Sequence, residues 1–203
     1  MQNFPVDYID NETGKKKTAW ISRSVAVSSF IFCKDQKGNW YVLANQRGDG
    51  APDYKGCWNC ICGYLDYDEN AQEAAKREVW EETGLDLRCN KFIPYFVNSN
   101  KKENRQNVTI RFYNILPGNI LDWMNFSFEH MEKNEVQNIK WIRLNEIENY
   151  EWAFNHDEII KETFNMFINI PWWKKFVINK YHKWITFPLM KKLFINELGL
   201  LTI

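Results

Sequence analysis

The sequence predicts an α/β (α+β) fold in which a mixed β-sheet is sandwiched between helices. Three observations lead to this prediction. Stretches rich in valine, isoleucine, tyrosine and phenylalanine, typical of strands, occur on both sides of one helical segment. That segment contains neither proline nor glycine, and a second helical pattern follows the last strand. Strands around one helix, followed by a late helix, are typical of a sheet covered by helices.

The first half of the chain contains a predicted hairpin and a short third strand. Residues 24–33 (SVAVSSFIFC) and 40–45 (WYVLAN) have strand composition, and a Gly-Asn turn lies between them. Residues 49–56 are a predicted loop. Residues 58–62 are a predicted short strand that leads toward the helical segment.

The main helix is predicted over residues 70–83. An apolar stripe at every fourth position can pack on the sheet; it consists of Ala71, Ala75 and Val79. Asp68 or Asn70 can cap the beginning of the helix. Gly63 and Gly84 suit tight backbone at its two ends, and Gly84 suits a C-terminal cap.

The second half of the chain adds strands, a loop and a late helix. A Pro-Gly pair ends one of these strands and begins a predicted long loop over residues 117–134. The last segment has apolar residues on one side at helical spacing. The predicted strands are residues 86–97, interrupted by Pro94, then 107–116 and 136–142, and the predicted helix is 156–168.

Three glutamates of the main helix, Glu78, Glu81 and Glu82, fall within five residues. Positions i, i+3 and i+4 share one helix face, where like charges repel by a few tenths of a kcal/mol per pair. A hard divalent cation such as Mg2+ or Mn2+ would compensate this repulsion, because such ions prefer carboxylate oxygens. The alternative is a solvated acidic face.

Residues 63–85 (GYLDYDENAQEAAKREVWEETGL) resemble the Nudix box, G-x5-E-x7-R-E-U-x-E-E-x-G-U, where U is a bulky apolar residue. Nine constrained positions at fixed offsets make the match highly specific. They are Gly63, Glu69, Arg77, Glu78, Val79, Glu81, Glu82, Gly84 and Leu85. The resemblance to the family extends over residues 23–169. Ile61 and Cys62 stand where many members have Pro-Gly.

The resemblance implies hydrolysis of a nucleoside diphosphate linked to another group, with Mg2+ or Mn2+ as the cofactor. It also implies that the three glutamates and the backbone carbonyl of Cys62 bind the metal. Arg77 would orient the Glu78 carboxylate, and Glu69 would brace the loop through a charge contact with the helix. Glu78 is the first choice for the general base, and Glu82 is expected to be needed for hydrolysis.

Two residues outside the box are further candidates. Arg47 ends the second predicted strand, where an arginine contacts substrate phosphate in many family members; the alternative is a surface arginine. Glu135 precedes the strand at residues 136–142, a region from which members often supply an extra base or metal ligand. A solvated loop acid is the alternative for Glu135.

The composition is that of an ordinary globular protein. The 203 residues are 45% hydrophobic and 26% charged, and their formal net charge is zero, which gives no overall bias toward polyanions. The N-terminus has no apolar segment typical of a signal peptide, and no apolar run reaches the length of a membrane span. The expected location is therefore the cytoplasm.

The five cysteines are an odd number, which argues against a disulfide framework. Cys57, Cys60 and Cys62 are clustered as CWNCIC. A zinc site needs four ligands, and no histidine lies nearby in the sequence. Buried reduced thiols are expected instead, with zinc as the alternative.

The sequence suggests three segments: residues 1–22, the Nudix domain at 23–169, and a basic, aromatic, helical extension at 170–203. The extension carries six lysines against one acid, a net charge of +5. It is expected to pack on the core or on a second copy of the chain, as in a homodimer. An anionic membrane surface is a second interpretation, and nucleic acid is the least favoured third.

Two other functions remain as alternatives to a nucleotide hydrolase. Some Nudix domains sense nucleotides without turnover, although those often have a degraded box. A Nudix-fold isomerase of isoprenoid diphosphates would use a catalytic cysteine, for which Cys60 or Cys62 is available. Expected substrates of a hydrolase are ADP-ribose, nucleotide sugars, dinucleoside polyphosphates or oxidised nucleotides.

Overall fold

A computed structural model describes residues 4–102, 106–130 and 134–169. The chain divides into two compact units, Met1–Ala153 and Phe154–Ile203. The described strands are β1 (Phe4–Ile9), β2 (Lys16–Ile21), β3 (Ser24–Lys34), β4 (Trp40–Arg47), β5 (Trp58–Asn59), β6 (Ile61–Tyr64), β7 (Ile93–Asn98), β8 (Asn107–Ile115) and β9 (Val136–Arg143). The described α-helices are α1 (Ala71–Thr83) and α2 (His156–Phe167).

Seven of these strands form one mixed sheet, which confirms the predicted α/β class. Its main path is β5-β4-β3-β8-β7, while β6 pairs with β3 and β9 pairs with β4. The β3–β8 pair is parallel and the others are antiparallel. The predicted hairpin is the β3–β4 pair. The strand predicted at residues 58–62 is divided, because β5 pairs with β4 and β6 with β3.

Helix α1 lies against this sheet and contacts β3 and β6. The core beneath it includes Val27 and Ile31 of β3, both fully buried. The predicted stripe is confirmed at Ala75 and Val79, whereas Ala71 is only partly buried. Removal of this apolar surface from water is the main favourable term that holds α1 in place.

Both ends of α1 have the expected caps. The Asn70 side chain accepts hydrogen bonds from the backbone N–H groups of Gln72 and Glu73, and the Glu73 side chain accepts one from the Asn70 N–H. This reciprocal capping box satisfies donors that the helix cannot pair. At the other end, Gly84 has a left-handed conformation, with φ +73°, which a glycine adopts without steric cost.

The strand predicted over residues 86–97 is wrong in its first half, because β7 begins only at Ile93. The Asp86 side chain accepts a hydrogen bond from the Arg88 N–H, and the Asn90 N–H donates to the Leu87 carbonyl, so this segment turns. Leu87 and Phe92 are nevertheless buried in the core. The apolar character of Leu87 and Phe92 therefore indicates burial and does not indicate a strand.

Some elements of the described residues are not predicted from the sequence. Residues 1–22 contain the antiparallel pair β1–β2, which is separate from the main sheet. A short 3-10 helix, Ile120–Trp123, lies in the predicted long loop, and its Asn119 side chain accepts a hydrogen bond from the Leu121 N–H. A single turn of this kind has too few residues to show a periodic apolar pattern.

The second unit is described as far as residue 169. Its helix α2 confirms the predicted late helix, and its buried side chains recur on one side: His156, Ile159, Ile160 and Thr163. None of the helices in the described residues has the length and apolar character needed to span a membrane. The extension at residues 170–203 lies outside the described residues.

Candidate active site

Gly63 allows the close approach between β6 and α1. A Cβ atom at this position would lie 2.1 Å from the carboxyl carbon of Glu78. The structure therefore corrects the predicted reason for this glycine, since Gly63 lies within β6 and not at the end of α1. The residue must be small because the Glu78 carboxylate occupies the space of a side chain.

Arg77 is the centre of a charge network at the solvent side of α1. Its Nε and Nη2 atoms donate to the Glu69 carboxylate at 2.7–3.2 Å. Its Nη1 lies 2.9 Å from Glu78 Oε1 and donates to Glu81 Oε2 at 2.7 Å. Nη2 also donates to the carbonyl of Tyr64 in β6. The expected charge contact between Glu69 and the helix is thus present, and Arg77 contacts Glu78 directly.

Glu78 and Glu82 face the sheet and are buried, at 9% and 6% exposure. Burial raises the pKa of Glu78 to about 7; Arg77 opposes this rise, and the charges of Glu81 and Glu135 add to it. Burial also raises the pKa of Glu82 well above its usual range, and the charges of Glu78 and Glu135 add to the effect. Removal from water disfavours a charged carboxylate unless a cation or hydrogen bonds replace the water.

Asn45 contacts the buried end of the glutamate face and was not predicted as a site residue. Its Nδ2 donates to Glu82 Oε2 at 2.6 Å, and Asn45 is 1% exposed. Glu82 also accepts a hydrogen bond from the backbone N–H of Cys62. The sequence does contain a signal, because Asn45 directly follows the apolar run of the strand WYVLAN, and asparagine is uncommon in a buried position.

A close backbone contact with Gly48 holds Glu135 near the site. The Gly48 N–H donates to the carbonyl of Glu135 at 2.7 Å, and a Cβ at residue 48 would lie 2.2 Å from the carbonyl oxygen of Asn134. The charge of Glu135 raises the pKa values of Glu78 and Glu82. The structure therefore brings Glu135 near the box glutamates, and Gly48 is a positioning residue missed from the sequence.

Arg47 lies at the same end of β4. Its Nε donates to the Asp53 carbonyl at 2.9 Å, and its Nη2 donates to Asp53 Oδ1 at 2.6 Å. The side chain is 11% exposed. Its charge lowers the pKa values of Cys62 and Glu82, so the guanidinium lies in the electrostatic environment of the glutamates. Asp53 holds it there from the loop at residues 49–56.

The clustered thiols are reduced and poorly activated. Cys57 and Cys60 are buried, and Cys62 is half-buried. Burial raises the pKa of the Cys62 thiol to about 12, and burial also raises that of Cys60 well above its usual range. The thiolate is the nucleophilic form of cysteine, so these environments do not favour the cysteine chemistry of an isomerase.

The donor set suits a hard divalent cation. Glu78, Glu81 and Glu82 supply oxygen ligands, which Mg2+ and Mn2+ prefer. Within residues 4–102, 106–130 and 134–169, no three carboxylate, imidazole or thiol groups converge as a preformed metal cluster. Glu81 is instead paired with Arg77. The metal-binding role of the glutamates and of the Cys62 carbonyl therefore remains a prediction that the chemistry of the donors fits.

The family model of the NUDIX domain matches residues 22–163, well over half of the chain. The ADPR responsive transcriptional repressor NtrR of Acinetobacter baylyi is 22% identical over 151 residues, which are 73% of this chain and 56% of the repressor. Phosphatase NudJ of Escherichia coli is 49% identical over 39 residues, 19% of this chain and 26% of the phosphatase. The chain thus matches about half of the first relative's length and about a quarter of the second's.

Solved structures share the fold. The NUDIX domain of Shewanella oneidensis NrtR complexed with ADP ribose superimposes with a TM-score of 0.55 at 19% identity, covering 70% of this chain and 86% of that domain. A MutT/nudix family protein from Enterococcus faecalis gives a TM-score of 0.58 at 18% identity, covering 74% and 64%. At this identity, the likeness supports the architecture alone.

Proposed function

Because this chain belongs to the NUDIX family, we propose that it is a divalent-metal-dependent hydrolase. The bond cleaved is the pyrophosphate bond of a nucleoside diphosphate linked to another group. The observation that carries the proposal is the complete box, whose Glu78 and Glu82 are both buried on one helix face. Two buried like charges oppose folding unless a cation compensates them, which supports a cation-binding function.

The residues of the site have distinct roles in this proposal. Mg2+ or Mn2+, when bound, neutralises charge on the pyrophosphate and lowers the pKa of water. The three box glutamates and the Cys62 carbonyl would hold the ion. Arg77, 2.9 Å from Glu78 Oε1, keeps that carboxylate oriented, while Glu69 fixes Arg77 from the loop before the helix.

Glu78 is the proposed general base. A base must lie within reach of the proton that it takes, and Arg77 and the close approach of Gly63 hold the Glu78 carboxylate in one place. Glu78 takes the proton of the attacking water, the new oxygen–phosphorus bond forms, and the phosphoanhydride bond breaks. A nucleoside monophosphate is one product. Glu135 is the second candidate for the base, and Arg47 is the proposed contact for phosphate oxygens.

The test is a hydrolysis screen with Mg2+ and with Mn2+. ADP-ribose is the first compound, because a NUDIX domain of the same fold was solved with it; nucleotide sugars, dinucleoside polyphosphates and oxidised nucleotides follow. Metal-dependent release of a monophosphate by the wild-type chain, lost in folded Glu82→Gln, is the expected result. An equally active Glu82→Gln variant would remove Glu82 from the mechanism.

A second candidate function is nucleotide sensing without turnover. The relative named as an ADPR responsive transcriptional repressor is the observation that favours it. Calorimetry with ADP-ribose, run beside the hydrolysis screen, separates the two functions. Binding by a chain that hydrolyses none of the compounds with either metal supports the sensor, whereas turnover supports the hydrolase.

A further inference from the structure

Two buried asparagines face each other at the edge of the candidate site. Asn45 of β4 and Asn59 of β5 are directly paired across the two strands, and each is 1% exposed. Directly opposed residues of neighbouring strands project to the same face of the sheet. Amide groups in such a position lower stability unless hydrogen bonds replace the lost water.

The donor atoms of this pair contact the two chain segments that surround the site. Asn45 Nδ2 donates to Glu82 Oε2 at 2.6 Å, which links β4 to helix α1. Asn59 Nδ2 donates to the Cys60 carbonyl at 2.9 Å and contacts the Cys62 sulfur at 3.4 Å. Because a hydrogen bond has a preferred direction, this contact of Asn45 restricts the orientation of the Glu82 carboxyl group.

The acceptor atoms of the pair have no such partners. Oδ1 of Asn45 and Oδ1 of Asn59 are both buried and accept no hydrogen bond from the described part of the protein. Two unsatisfied acceptors beside a buried carboxylate lower stability. A pair of apolar residues would fill the same space without this cost, so the asparagines point to a functional requirement at this position.

We propose that Asn45, supported by Asn59, is a positioning residue that directs the Glu82 carboxylate toward the divalent cation. This inference rests on the proposed metal-dependent function. Asn45 itself touches neither the substrate nor the reacting atoms; it acts through Glu82. Asn59 acts one step further away, because it holds the segment that contains Cys62.

The test measures Mn2+ binding without substrate, from the loss of the free Mn2+ signal in electron paramagnetic resonance. Asn45→Leu keeps a similar volume and removes the donor. Its dissociation constant for Mn2+ is expected to rise by roughly tenfold to a hundredfold, the effect typical of residues that orient metal ligands. With saturating Mn2+, kcat for ADP-ribose is expected to fall while KM changes little.

Asn114→Leu is the matched control. Asn114 of β8 is 3% exposed. Within the described part of the chain, its Nδ2 has no hydrogen-bond partner and no hydrogen bond joins Asn114 to a glutamate. This variant is expected to bind Mn2+ like the wild type. Asn59→Leu is expected to weaken binding less than Asn45→Leu.

The outcomes separate the two proposals. A wild-type chain that binds no Mn2+ rejects the metal-dependent function itself. The assignment of Asn45 alone is rejected if the wild-type chain binds Mn2+ and the folded Asn45→Leu variant binds it as tightly as the Asn114→Leu control. Affinities within threefold of each other, on the order of experimental error, count as equal. If Asn45→Leu does not fold, Asn45→Ala replaces it and is judged by the same threshold.

Discussion

The two ends of the glutamate face of α1 differ in how their charges are balanced. At the solvent side, Arg77 contacts Glu69 and Glu81 and is 26% exposed. At the buried side, the donors that contact Glu82 in the described part of the chain are an amide and a backbone N–H. The charges of Glu78 and Glu135 oppose its ionisation, and the charge of Arg47 partly offsets them. The first end stabilises the fold, while the second end destabilises it and is where a cation would bind.

The largest expected effect comes from Glu78→Gln. Loss of the general base is expected to lower kcat for hydrolysis by roughly 10²- to 10⁴-fold. In EDTA at pH 8, the melting temperature is expected to rise, because a buried group with a raised pKa becomes permanently neutral. Steady-state kinetics and thermal unfolding measure both effects. Asp68→Asn, at an exposed position of the box, is the control; similar kinetics for the two variants would exclude Glu78 as the base.

The second effect is a pH dependence of stability in the metal-free protein. The pKa of Glu78 rises from 4.5 to about 7 on folding, so the folded chain binds more protons between these values than the unfolded chain. Its contribution to stability is therefore present below pH 4.5 and is lost as the pH rises to about 7, a change of about 3 kcal/mol. Urea unfolding in EDTA from pH 5 to pH 8 should show this loss, and Glu78→Gln should reduce it. If the free energy of unfolding changed with pH equally in the wild type and in Glu78→Gln, the raised pKa could not belong to Glu78.

The third effect concerns Arg77, at the solvent side of the glutamate face. Arg77→Met removes the cation that contacts the carboxylates of Glu69, Glu78 and Glu81, so the free energy of unfolding is expected to fall by about 2 kcal/mol. Arg88→Met is the control, because Arg88 is an exposed arginine paired with Asp86, and such surface pairs contribute little to stability. Equal losses in the two variants, measured by urea unfolding at pH 7, would show that the Arg77 network does not stabilise the fold.

The smallest effect is expected from Glu81→Gln. Glu81 is 40% exposed and pairs with Arg77 one turn away, so its stability loss should be about 0.5 kcal/mol. The loss of hydrolysis should also be smaller than in Glu78→Gln, because water can replace an exposed ligand. A kcat below that of Glu78→Gln would move the base from Glu78 to Glu81.

The prediction from sequence succeeds where the signals are local. Helix α1 is predicted because Asn70 and Gly84 mark its ends within one continuous segment, and β3 and β4 because their compositions favour strands on both sides of a turn. It fails over residues 86–92, where buried Leu87 and Phe92 suggested a strand but belong to a turning segment. Apolar residues indicate burial in both cases, and only periodicity distinguishes the local structures.

The sequence by itself determined the family, the mixed sheet with helices, and the glutamates on one face of α1, because helix spacing and capping depend on residues close together in the chain. Only the tertiary structure decided which carboxylates are buried, that Asn45 contacts Glu82, and that Glu135 comes near them beside Gly48. These contacts join residues 37 or more positions apart. They depend on strand pairing and on the approach of α1 to the sheet, which no local pattern in the sequence specifies.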